Sequence, residues 1–194
     1  MHASIDNDDD WRSWREEWGI RPGTIYLNHG SFGPPPREVR ERQRAWQERL
    51  ARQPMDFFVR DYEPAWFTAR DRLAAFVGSA PENLVFVENA TAAMNAVASS
   101  FPLRQQDEVM LTDHEYGAVL RIWQRACQSA AAKEPQIAPL PRRIEAADQV
   151  VEAIFKAATE RTRLLVVSHI TSPTAIILPI QQIAAEARRR GIVE

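Results

Sequence analysis

Three short apolar runs in this chain are each followed at once by residues able to hold a phosphorylated, heteroatom-rich ligand. After Val85, Phe86 and Val87 come Glu88, Asn89, Ala90 and Thr91, where the chain turns straight into a helical pattern. Free backbone N–H groups, the helix dipole and the Thr91 hydroxyl together suit an anion such as phosphate. The plainer role for Asn89 is to cap that helix. After Val109, Met110 and Leu111 come Thr112, Asp113, His114, Glu115, Tyr116 and Gly117. This segment either presents an imidazole or phenol ring to a flat ligand or simply caps the next helix. After Leu165, Val166 and Val167 come Ser168, His169, Thr171, Ser172 and Thr174. Their hydroxyls could bond a ligand heteroatom, although turns use the same residues for their own backbone.

Other chemistries find less support. His2, His29, His114 and His169 are scattered, without paired helical spacing or cysteine partners, so no metal site is expected. Nucleophile-elbow, P-loop and glycine-rich dinucleotide patterns are absent. Asn89, Ala90 and Thr91 also spell a glycosylation sequon, which a cytoplasmic protein would not use.

Ligands of open parallel sheets collect beyond the carboxyl ends of the strands, so strands alternating with helices must position these segments. The sequence predicts that arrangement. Apolar runs at 84–87, 109–111, 136–138 and 164–167 read as strands, and helical patterns fill 91–100, 116–132 and 145–158. A further amphipathic helix over 181–190 stops at Gly191, and Ile192 and Val193 begin another strand. The fold class is therefore α/β, a mainly parallel sheet with helices on both faces. The stretch from Pro135 to Arg143 is a local connection and not a domain boundary.

Upstream, Trp11, Trp14 and Trp18 share one helical face, a stripe suited to docking on a core or a subunit partner. A short strand at 25–27 leads into a loop over 28–36. There Gly30 and Gly33 permit unusual dihedrals, and Pro34, Pro35 and Pro36 stiffen the exit. Helices follow at 37–53, dense in Arg and Glu, and at 64–77, with Pro64 suited to a first turn.

Composition narrows the function classes. A length of 194 residues, 45% hydrophobic and 26% charged, fits one large domain or an incomplete piece of a bigger α/β protein. A net charge of −2 gives no global field for nucleic acid or an anionic membrane. No apolar run approaches the roughly 18 residues needed to span a bilayer. The acidic start, with Asp6, Asp8, Asp9 and Asp10, is unlike a signal peptide. The single cysteine, Cys127, excludes an internal disulfide framework, reads as a buried small hydrophobe, and fits a reducing cytoplasm. Of 24 basic residues only Lys133 and Lys156 are lysines, and arginine cannot serve as an amine nucleophile.

Together the segments Tyr26 to Gly33, Glu88 to Thr91, Asp113 to Ala118 and Ser168 to Thr174 resemble the class V aminotransferases, fold-type I enzymes that use pyridoxal phosphate. The likeness is to the isopenicillin N epimerase-like branch, relatives of the cysteine desulfurases, and runs from about Trp18 to the last residue. It implies a cofactor phosphate held by the backbone of Ala90 and by Thr91, beside Asn89. It implies an aromatic ring at Tyr116 stacked on the pyridine, where desulfurases carry histidine, with His114 a poorer match. Ser172, and next Thr171, would contact the phenolic oxygen, a position that is asparagine in desulfurases. Asn28 and His29 would line the substrate end.

The resemblance also implies two residues that these 194 positions do not supply: an aspartate holding the pyridine nitrogen protonated, and the Schiff-base lysine. Lys133 and Lys156 read as solvated lysines in helical surroundings, so covalent attachment at a matching lysine is not expected. The organisation expected is a helix and substrate-side loop over 1–36, then a partial cofactor-binding large domain over 37–194. The activity implied is amino-acid transamination, epimerisation or β-elimination by a whole homodimeric enzyme, with no catalytic residue and no turnover from this part alone. The competing reading is a non-catalytic interaction remnant that assembles through the tryptophan face and the arginine-rich helix. A Rossmann-type oxidoreductase is poorer because its glycine fingerprint is missing.

Overall fold

The computed structural model describes residues 12 and 14–194. Trp11 and the acidic residues before it lie outside the described residues. Two compact units are present, Met1–Val85 and Phe86–Glu194.

The first unit is helical. A 3-10 turn, Glu16–Trp18, and a single helical turn, His29–Phe32, precede α1, Arg37–Arg52. Pro36, in an extended conformation, opens α1. Glu38 lies in its first turn and Arg49 and Arg52 in its last, each complementing the helix dipole. A short turn, Pro54–Asp56, and a π-helical segment, Phe57–Asp61, run directly into α2, Tyr62–Val77, with Pro64 in its first turn. Phe57 is the buried anchor here, with its ring edge-on to Trp46 at 5.9 Å. Arg49 grips Asp61 with two hydrogen bonds of 2.5 and 2.7 Å.

Two expected features of this unit do not form. The 25–27 run is not a strand, and Ile25 and Leu27 are exposed. Gly30 and Gly33 do not adopt positive φ. Gly33 is needed for space instead: a Cβ there would stand 2.6 Å from the His29 carbonyl oxygen, to which its own N–H donates.

The second unit is the α/β body. It comprises α3 (Ala90–Ser100), β1 (Glu108–Thr112), α4 (Gly117–Ser129), β2 (Gln136–Ala138), α5 (Ala147–Ala157), β3 (Thr162–Val166) and α6 (Ile180–Arg189). The strands form a parallel sheet in the order β2-β1-β3. Central β1 is buried along its whole length, and its alternating side chains feed two cores. Met110 joins Leu165, Val150, Ile154, Ile183 and Ile192 on one face, whereas Val109 and Leu111 join Ala98, Trp123, Cys127 and Leu164 on the other. Helices α5 and α6 therefore cover one face and α3 and α4 the other, as the near-continuous apolar strands require.

The carboxyl-terminal helix ends as its sequence indicates. Gly191 takes φ 70°, its N–H donates to the Arg188 carbonyl, and the Ile192 N–H reaches back to Ala187. Val193 then forms a parallel bridge with Leu164, so a further strand does begin beside β3. The 84–87 run is a correction: it is not a strand, and Val85, Phe86 and Val87 are exposed. An apolar run of four reads the same whether or not a sheet edge is available to receive it.

Candidate functional site

Helix α3 begins with an open donor set. Asn89, in extended geometry, accepts the Ala92 N–H on its side-chain oxygen at 2.8 Å, and its carbonyl takes the first in-helix bond from Ala93 at 3.1 Å. The N–H groups of Ala90 and Thr91 precede that first bond and have no carbonyl of their own helix to meet. Both residues are exposed, which leaves two backbone donors outside the helical ladder beside an exposed threonine. The cap role and the anion role of Asn89 are thus compatible. Farther along α3, Met94 accepts the Trp123 indole N–H at 3.3 Å, which fastens this helix to α4.

The turn after β1 sets the start of α4. Tyr116 is its N-cap, with φ −64° and ψ 133°, and its carbonyl accepts the Val119 N–H at 2.8 Å. Tyr116 as a whole is 57% exposed. His114 is half-buried, with Nδ1 buried and meeting no partner in the protein. Two acids in the same turn face neighbouring strand ends. Asp113 accepts the Leu140 N–H at 2.9 Å, beyond β2. Glu115 accepts the Ser168 N–H at 2.9 Å and the Ser168 hydroxyl at 2.5 Å, beyond β3, and the Thr112 hydroxyl at 3.0 Å.

The segment after β3 is a small hairpin. Ile170 and Ile177 form an antiparallel bridge, and the Leu178 N–H donates to the His169 carbonyl at 2.8 Å. Thr171 is buried, and its hydroxyl is engaged inside the hairpin, accepting from Ile176 N–H and sharing a 2.7 Å bond with Thr174. Ser172 is exposed at the tip. Of these two, Ser172 has the freer hydroxyl.

Asn28 and His29 belong to the first unit and are exposed. Asn28 caps the short turn through its carbonyl, and His29 sits edge-on to Tyr26 at 4.9 Å and to Trp18 at 6.2 Å. Those three rings line a cleft of about 460 Å³ with Trp14, Arg15 and Ile20.

The lysines stand elsewhere. Lys133 lies in the loop after α4 rather than on a helix, and pairs with Glu108 at 2.8 Å, at the amino end of β1. Its ammonium, followed by the Thr159 hydroxyl, holds the Glu108 carboxyl below its ordinary value. Lys156 is exposed on α5. Cys127 is buried, and its thiol is pushed up chiefly by that burial, so it is a poor nucleophile. Among the described residues no cluster of His, Cys, Asp and Glu could hold a metal ion.

The sequence pattern alone assigns Asp113 and Glu115 no role. Two acids in a strand-end turn were the available signal, but which N–H groups they meet depends on chain segments 27 and 53 residues away.

The family model for aminotransferase class-V matches residues 55–194, well over half of the chain. The chain belongs to the class-V aminotransferase family. Among curated relatives, this class-V chain is 40% identical over 187 residues to an isopenicillin N epimerase of Amycolatopsis lactamdurans, covering 94% of this chain and 46% of that protein. It is 37% identical to the isopenicillin N epimerase of Streptomyces clavuligerus, again covering 94% and 46%. It thus spans about half the length of the curated relatives it matches. Among solved structures, a C-DES mutant with glycine covalently linked to its PLP cofactor superposes with TM-score 0.79 at 23% identity. That match covers 90% of this chain and 46% of the other. The cysteine desulfurase CsdA of Escherichia coli gives 0.75 at 20% identity, covering 94% and 47%. Likenesses at this identity speak to the fold.

Proposed function

We propose that this class-V chain forms the cofactor-holding part of a pyridoxal-phosphate enzyme that acts on an amino acid. The observation that carries the reading is the open first turn of α3, where the Ala90 and Thr91 N–H groups lie outside the helical ladder and Thr91 is exposed beside the Asn89 cap. This donor set fits a phosphate dianion without a cation. The exposed Tyr116 ring fits an aromatic heterocycle, and Ser172, with Thr171 behind it, would serve the phenolic oxygen. When bound, the cofactor supplies an electron sink for a carbanion at the substrate Cα. The chain's own residues grip, stack and orient.

Neither lysine suits covalent attachment, because Lys133 is paired with Glu108 at the opposite end of β1 and Lys156 lies on an outer helix surface. For the whole protein the reading is an amino-acid substrate, with transamination, epimerisation and β-elimination as the reaction classes. We assign residues 1–36 to the substrate side, with Asn28 and His29 there, and 37–194 to the cofactor domain. Exposed Met55, Phe58, Val59 and Phe76 on the first unit support a homodimer, and the single buried thiol supports a reducing cytoplasm. Among the described residues no helix is long and apolar enough to cross a membrane.

Titration of pyridoxal phosphate into the chain, followed by tryptophan fluorescence, tests the reading. Saturable binding is expected, weakened roughly fivefold in Thr91→Ala, which corresponds to about 1 kcal/mol for one hydrogen bond. A borohydride-stable adduct at Lys133 or Lys156 would show that this chain carries its own attachment lysine and overturn that part of the reading.

A further inference from the structure

Beyond Val166 the ladder between β1 and β3 stops: Leu111 opposite Val166 is the last pair, and the two chains part toward α4 and the 168–178 hairpin. The next link between them is a single carboxylate. Oε1 of Glu115 receives the Ser168 N–H at 2.9 Å and the Thr112 hydroxyl at 3.0 Å, while Oε2 receives the Ser168 hydroxyl at 2.5 Å. We propose that Glu115 is a clasp that fixes the 168–178 hairpin to the turn carrying Tyr116, and so acts as a positioning residue for the ring end of the cofactor pocket. The role toward the cofactor rests on the function proposed above.

The chemistry of the three partners selects a carboxylate. All three approach as donors, and an ionised carboxylate is an acceptor on both oxygens. Bonds to a charged acceptor are about twice as strong as neutral ones, which suits a link that must hold two loops in register. A glutamine would keep Oε1 but present an NH2 group where the Ser168 hydroxyl now donates.

The hairpin is stiff enough to transmit the clasp's position. Its rungs run from Leu178 N–H to His169, from Thr171 N–H to Ile176, and from Ile176 N–H back to the Thr171 hydroxyl. Leu178 anchors it in the core below. A shift at Ser168 therefore moves Thr171 and Ser172 together. On the other side, Glu115 immediately precedes Tyr116, whose carbonyl is held by the first turn of α4. The ring donor and the hydroxyl tip are thereby set by one side chain that itself need touch no ligand. The phosphate end is independent, because the α3 turn is capped by Asn89.

The test uses the full chain, wild type against Glu115→Ala and Glu115→Gln, with hydrogen exchange and two probes, pyridoxal phosphate and inorganic phosphate. In Glu115→Ala, amides 168–171 should exchange about tenfold faster and pyridoxal phosphate should bind about tenfold more weakly, the range set by losing bonds to a charged group. Inorganic phosphate should bind as in wild type, and Glu115→Gln should recover part of both losses. Unchanged exchange at 168–171 in folded Glu115→Ala overturns the clasp. Equal weakening of both probes together with a general rise in exchange shows a merely structural acid, and also overturns it. A wild type that binds neither probe defeats the cofactor reading instead, and the exchange comparison then decides the clasp by itself.

Discussion

Strand β1 has a glutamate at its first residue and another three residues past its last, and the protein treats them differently. Glu108, buried at the amino end, is met by the Lys133 ammonium at 2.8 Å and the Thr159 hydroxyl at 2.5 Å. Glu115, at the carboxyl end, is met by two hydroxyls and a backbone N–H. The first arrangement neutralises a charge and ties the loop before β3 to the sheet. The second leaves the charge spread over neutral donors, next in the chain to the exposed Tyr116. A parallel sheet places structural closure at one end and ligand-facing loops at the other, and the two carboxylates follow that division.

The largest perturbation should erase the distinction. Leu165 is buried against the α5 and α6 core, and its N–H also donates to the Val193 carbonyl of the incoming edge. Leu165→Ala is expected to cost about 2–5 kcal/mol by urea unfolding and to weaken ligand binding along with everything else. Glu108→Gln should cost less, about 1 kcal/mol, because Lys133 is half-exposed and solvent screens the pair. Pyridoxal phosphate affinity should remain at the wild-type level in that variant. A drop would break the comparison by showing that the amino end also shapes the site.

Acid sharpens the same contrast. The Glu108 carboxyl lies below its ordinary 4.5 in the folded state, so its stabilising effect is complete above about pH 4.5 and is lost as pH falls through the folded value. The stability gap between wild type and Glu108→Gln, measured by denaturant at several pH values, should therefore narrow on acidification. Smallest of all is Glu186, half-buried on α6, whose carboxyl is lowered to about 2 first by the Arg189 hydrogen bond and then by Arg190. Its side-chain resonance should titrate near that value, with little change in stability from Glu186→Gln.

Much of the second unit was legible because its strands are buried on both faces. An apolar triplet at 109–111 between helical periods has few alternatives, and Gly191 marks a helix stop that backbone geometry bears out. The 25–27 and 84–87 runs misled because hydrophobicity reports a wish for burial, and pairing needs a neighbour. Lys133 was misplaced by extending α4 through Ala132, although the helix ends at Ser129 and Ala131 takes positive φ. The candidate site divided in the same way. The helix starts at Asn89, Thr91 and Tyr116 are local events and could be read from the sequence. Glu115 could not, because its partners are remote in the chain.

The sequence by itself determined the alternation of elements, the capped start of α3, the ring at the start of α4 and the family to which these motifs belong. Those features depend on residues within a few positions of one another. Only the tertiary structure decided which acid clasps which loop, that the Thr171 hydroxyl turns inward while Ser172 stays free, and that Lys133 guards the far end of β1. Each of those outcomes depends on which strand lies beside which, and that is fixed by burying both faces of β1 at once.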